Sequence, residues 1–221
     1  MWILTAIAAI WAMIASARVN STFKKYSKLK NSRGFTGADC AMALLRSAGI
    51  TDVRVEKVSG NLTDHFDPRS KVIRLSDSVF SSDSVAALGV AAHEAGHAIQ
   101  HNVGYFPIKI RNFIIPVCNI GSNLALPLVL IGLAATLPWL TTLGLVFFSL
   151  SAVFQLVTLP VEFNASRRAL RYLEEGAALG CDEMKAAKKV LSAAAMTYVA
   201  ALAVALANLL RLIAIVNRSK K

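Results

Sequence analysis

The run His93-Glu94-Ala95-Gly96-His97 sets two imidazoles four positions apart, with a carboxylate directly after the first. On a helix, residues four apart share one face, with Cβ atoms ~5–6 Å from each other. Two imidazoles so placed can each aim one nitrogen at a single zinc ion, at about 2.0–2.1 Å. Glu94 then projects beside the metal, where it can take a proton from water. Zinc lowers the pKa of such water to ~7, which makes hydroxide available at neutral pH. The chemistry this spacing suits is hydrolysis assisted by Zn2+, with His93 and His97 as ligands and Glu94 as base.

A catalytic zinc normally takes three protein ligands and leaves a fourth position open. Three side chains are candidates for the third. His101 lies one helical turn beyond His97, but three histidines in a row on one helix diverge from a single ion. His65 lies upstream, beside Phe66 in a predicted strand. Glu162 follows a long uncharged stretch, at the predicted start of a helix, where a carboxylate also suits the helix dipole. Residues 112–161 carry no charge and are long enough for two spans of ~20 residues. Two spans return the chain to the side it left, which favours Glu162.

The elements that must hold these residues are of two kinds. Of 221 residues, 55% are hydrophobic and 17% charged, and the mean hydropathy is +0.53. Soluble chains carry nearer ~25% charged residues. Residues 1–17, 112–161 and 190–210 are uncharged, whereas 18–111 read as an ordinary water-soluble sequence. The chain is thus a multi-pass membrane protein with one modest soluble domain. The net charge of +11 includes Arg18, Lys24, Lys25, Lys28, Lys30 and Arg33, all before the first acidic residue, Asp39. Beside an apolar segment, such a run anchors on anionic headgroups, and no nucleic-acid partner is expected. No basic residue precedes the first apolar segment, so it reads as a retained anchor and not a cleaved signal peptide. The charge rule then puts residue 18 onward, and the metal site, on the cytoplasmic side of the cell membrane. Cys40, Cys118 and Cys181 form no paired spacing, so neither a cysteine metal site nor a disulfide framework is expected.

Thr36-Gly-Ala-Asp39 resembles a capped helix start, and Gly49 can end that helix. Val53, Val55 and Val58 read as a strand, and Val72 to Leu75 as another, behind a turn at Asp67-Pro68-Arg69-Ser70. The second of these can pair with an extended peptide substrate. Ser82 or Asp83 can cap the helix that carries His93 and His97 and runs towards Gly104. Thr136-Leu137-Pro138-Trp139 supplies the connection between spans, and Pro127 falls inside the first. Pro160 is predicted to open the helix of Glu162, which ends near Gly176. A final helix runs from about Asp182 to Val216. If its apolar part crosses the membrane, Arg211, Arg218, Lys220 and Lys221 land outside, against the usual charge rule.

His93 to His97, Glu162-Phe163-Asn164-Ala165-Ser166 and the two spans between them resemble the YugP-type family of membrane zinc metallopeptidases. More distantly they are similar to the HtpX-like membrane metalloproteases, where a glutamate after a hairpin completes the metal site. The resemblance implies zinc on His93, His97 and Glu162, with Glu94 as base in a gluzincin-like reaction on a peptide or membrane-protein substrate. In the HtpX-like pattern an aspartate usually stands four residues after that glutamate; here the position is Ser166, with Asn164 the nearby polar residue. His65 is the candidate donor to the oxyanion.

The fold expected is α+β and mostly helical, with a small zincin-like metallopeptidase domain. Its predicted parts are an anchor (1–17), the soluble domain (18–111), a transmembrane hairpin (112–161), the helix of the third ligand (162–189) and a C-terminal apolar helix (190–221). Two other readings keep the metal but change the function. A site-2-like intramembrane protease would make the zinc helix itself a span, but Asp83 begins that stretch and no Asp-Gly pair occurs in a later span. A non-catalytic zinc-binding membrane protein would have no need of Glu94.

Overall fold

A computed structural model gives the structure of the chain and describes residues 1–176 and 178–219. Lys220 and Lys221 lie outside the described residues. The protein is a mostly helical α+β membrane protein, with, among the described residues, a three-stranded sheet and four helices long and apolar enough to cross a bilayer. It divides into two compact units. One holds 1–15, 106–160 and the chain from Met196; the other holds 16–105 and 161–195.

Apolar length builds the first unit. Helix α1 (Trp2–Tyr26) runs beyond the predicted anchor, and Lys24 and Lys25 in its last turn suit the negative end of its dipole. Helices α5 (Phe106–Ala134) and α6 (Pro138–Glu175) form the predicted hairpin about Thr136, whose φ is +55°. They approach closely at Gly144, where an added Cβ would stand 2.8 Å from the Ala125 carbonyl oxygen. Small residues replace bulk where apolar helices pack in lipid. Helix α7 (Cys181–Ser219) brings the Arg211 guanidinium to 4.7 Å from the Trp2 ring centre. The far end of α7 therefore lies beside the start of α1, as expected if both cross the bilayer.

Contrary to the sequence expectation, Pro160 does not open a new helix: α6 runs unbroken from Pro138 to Glu175, with Pro160 inside it. Proline removes one helix hydrogen bond, but in a lipid setting neighbouring groups re-satisfy the backbone and the helix continues. Glu162 is therefore a helix-interior residue, and no helix N-terminus favours its charge.

Alternation and capping build the second unit. Helix α2 (Gly37–Ser47) starts at a capping box, with Thr36 accepting from the Asp39 N–H at 3.2 Å and Asp39 accepting from the Thr36 N–H at 3.1 Å. It stops at Gly49, whose φ is +70°. Strands β1 (Arg54–Val58), β2 (His65–Asp67) and β3 (Val72–Ser76) lie in the order β1-β3-β2. β1 runs parallel to β3, with Arg54 opposite Val72, and β2 runs antiparallel to it, with Phe66 opposite Ile73. The Val72–Leu75 strand is thus the middle one, paired on both edges, and cannot accept a peptide as the sequence suggested. Its sheet order depends on tertiary pairing, which residue pattern does not carry.

A short helix α3 (Asp77–Phe80) leads to α4 (Val85–Asn102). The cap of α4 is Ser84, accepting from the Ala87 N–H at 3.2 Å, and not Ser82 or Asp83. Ser82 instead supports Ser84, hydroxyl to hydroxyl at 3.0 Å, while Asp83 pairs with Lys30 at 2.9 Å. Leu44, Ile73, Leu75, Val79, Val85, Leu88 and Leu173 fill the core around α4. Each such side chain contributes about 1.5–3 kcal/mol when buried. The run from His93 to His97 is therefore carried on a helix that is itself a core element.

Candidate metal centre

His93 and His97 lie on one face of α4, with ring centres 4.7 Å apart and planes at 85°. Glu162 reaches them from α6, where it is 2% exposed. Its Oε2 stands 3.2 Å from His93 Nε2 and 3.5 Å from His97 Nε2. One donor atom from each of the three residues lies within 4.8 Å of the other two, a group that could hold a metal ion. Two imidazole nitrogens and one carboxylate oxygen are a donor set that suits zinc. Of the three candidates for completing the pair, the structure brings Glu162 there. His101 is exposed at the end of α4, where its ring meets Phe66 edge-on, with centres 5.9 Å apart.

The two helices can meet this closely because of Gly96. A Cβ there would stand 2.7 Å from the Ala165 carbonyl oxygen, inside any real contact. The glycine between the histidines is thus a spacer for α6, three residues past Glu162.

The outer nitrogens of both rings are also engaged. His93 Nδ1 lies 3.1 Å from Ser166 Oγ, and His97 Nδ1 lies 3.0 Å from Gln100 Oε1. Gln100 Nε2 donates in turn to the Val161 carbonyl at 2.8 Å and to Asn164 Oδ1 at 3.0 Å. Asn164 Oδ1 also accepts from Arg168 Nε at 2.8 Å. Burial pushes the His97 imidazole towards its neutral form. The Glu162 hydrogen bond and the Glu94 charge outweigh it, so its pKa lies above the ordinary histidine value.

Glu94 is buried on the same helix, and among the described residues no hydrogen bond or ion pair engages its carboxylate. A second carboxylate stands within electrostatic reach of it. Asp64 accepts from the Ser76 N–H at 2.7 Å and from Ser76 Oγ at 3.0–3.1 Å. Burial, with the Glu94 charge adding, raises the Asp64 pKa against those hydrogen bonds. His65 is exposed on β2, and its Nδ1 meets the Thr63 carbonyl at 2.8 Å. It is not one of the three converging residues.

Sequence reasoning missed Gln100 and Asp64. Gln100 had a signal: it is a polar residue three positions after His97, on the ligand face of an apolar helix. Asp64 had none, since its position follows from the sheet.

Residues 1–217 match the model of a family described as "Putative neutral zinc metallopeptidase". The chain is 45% identical over 207 residues to "Putative membrane protease YugP" of Bacillus subtilis (strain 168), covering 94% of this chain and 91% of that one. No solved structure matches. With the match extending over both units and the segments that carry His93, His97 and Glu162, the chain belongs to this family.

Proposed function

We propose that the protein is a membrane-bound zinc endopeptidase of gluzincin type, with zinc held by His93, His97 and Glu162. The convergence of one donor atom from each of His93, His97 and Glu162 within 4.8 Å carries this reading. A bound zinc would supply Lewis-acid chemistry, activating water and polarising a peptide carbonyl. Glu94 takes the proton from the attacking water and returns it to the leaving amine nitrogen. Its carboxylate suits that role because no hydrogen bond or ion pair among the described residues engages it. An extended peptide substrate has only the outer edges of the sheet, on β1 or β2, to pair with, since β3 is paired on both sides.

The site faces the cytoplasm of a cell membrane, as the basic residues Arg18 to Arg33 after α1 suggest. Against the intramembrane alternative, α4 is not among the four helices apolar enough to span, and it packs in the core with α2 and the sheet.

Zinc content and cleavage of an unstructured test protein, for wild type, Glu94→Gln and Glu162→Ala, test the proposal. Wild type and Glu94→Gln should hold one zinc each, with cleavage lost in both variants and metal weakened in Glu162→Ala. Wild type without zinc, or Glu94→Gln that cleaves equally well, overturns the reading.

A further inference from the structure

The geometry points to Gln100 as a positioning residue of the metal centre: its amide selects which nitrogen of His97 faces the metal and ties that ligand to α6. The inference rests on the zinc reading above. Gln100 is fully buried, so both ends of its amide must find partners. Its Nε2 sits 2.8 Å from the Val161 carbonyl, a group that can only accept. The NH2 end must therefore face Val161, and the amide cannot be turned round. Its oxygen then faces His97 Nδ1 at 3.0 Å, and an amide oxygen also only accepts.

His97 Nδ1 must accordingly carry the proton. With Nδ1–H committed to Gln100, the proton the ring gives up for a metal is the one on Nε2, which leaves that lone pair on the side where Glu162 Oε2 stands 3.5 Å away. Without the Gln100 oxygen the ring can place its proton on Nε2 instead, the nitrogen the metal requires. The same side chain reaches the second helix. Val161 precedes Glu162, and Asn164 Oδ1 is held facing Gln100 by Arg168 Nε, which can only donate. One buried amide thus fixes the tautomer of one ligand and the position of the backbone beside another. Partners of this kind typically tune metal affinity 10–100-fold.

The test measures zinc affinity of the full chain in detergent, by competition with a chelator, alongside the unfolding midpoint of the metal-free protein. Gln100→Leu keeps the bulk but has no acceptor, and should bind zinc about 10–100-fold more weakly. Gln100→Glu keeps an acceptor for Nδ1–H and, as a carboxylate, has no N–H for Val161. It should lower the midpoint yet bind zinc more tightly than Gln100→Leu does, by a margin approaching that 10–100-fold. Gln100→Met replaces the leucine variant if that fails to fold. Affinities that simply follow the midpoints assign Gln100 a packing role and overturn the inference, as does wild-type binding in Gln100→Leu. Wild type that binds no zinc at all brings down the metal reading itself, which is a separate outcome.

Discussion

Gly96 and Ala165 meet backbone to backbone: a Cβ on Gly96 would stand 2.7 Å from the Ala165 carbonyl oxygen. Glycine inside a helix costs about 1 kcal/mol relative to alanine. The sequence accepts that cost between His93 and His97. The return is the approach of α6, which brings Glu162 Oε2 to 3.2 Å from His93 Nε2.

Gly96→Ala should therefore lower stability despite its better helix propensity. The gain of about 1 kcal/mol is opposed by overpacking of about 1–3 kcal/mol, because the clashing atom is backbone and cannot swing away. Widening the gap also draws Glu162 from the histidines, so zinc should weaken more than the unfolding midpoint suggests. Thermal unfolding and chelator competition on purified protein measure the two effects. A variant that binds zinc as wild type does would show that the helices tolerate wider spacing.

Removing the metal should destabilise the protein in a ligand-dependent way. Zinc at 100 times its dissociation constant adds about 2.7 kcal/mol. For a chain of this size that corresponds to a Tm about 5–10 °C higher. Chelation should lower the midpoint by that amount and zinc should restore it, in wild type and in Glu94→Gln alike. Glu162→Ala should respond little to either treatment. An equal response in Glu162→Ala would remove Glu162 from the ligand set.

How much of this was legible in the sequence depended on the range of the interaction. His93 and His97 share a face because helix geometry is local, and their spacing carried the metal reading alone. Glu162 could be placed by counting spans, although it lies 65 residues beyond His97 in sequence. The continuity of α6 through Pro160 could not be read, since proline breaks helices in water and is carried through in lipid. The middle position of β3 was equally hidden: its hydrophobic pattern shows a buried strand, and only pairing with both neighbours removes its free edge. The place of Gln100 on the His97 face was legible, but its partners Val161 and Asn164 come from a helix 61 and 64 residues away in sequence.

The cysteines give a natural reporter for the side of the membrane. Cys181 is exposed and belongs to the same compact unit as His93 and His97, whereas Cys40 and Cys118 are buried. Burial, with Asp39 adding, pushes the Cys40 thiol up to about 12, so it stays protonated and unreactive at pH 8. An impermeant maleimide should therefore label one thiol in inverted membrane vesicles and none in intact cells. Cys181→Ser should abolish the signal until the protein is denatured. Labelling in intact cells would place the metal centre outside.

Ser166 gives the last prediction, because it occupies the position where the HtpX-like pattern carries an aspartate. Its hydroxyl lies 3.1 Å from His93 Nδ1. If Nδ1–H donates to it, His93 Nε2 is left with its lone pair for zinc. A hydroxyl is a weaker acceptor than a carboxylate, which makes a more basic ligand of the ring it holds. Ser166→Ala should weaken zinc about 10-fold, at the lower end of the range for such partners. Ser166→Asp should bind zinc at least as tightly as wild type, since the added charge offsets that of the metal. Chelator competition on the two variants decides it: equal affinities for alanine, serine and aspartate would mean that Ser166 does not orient His93.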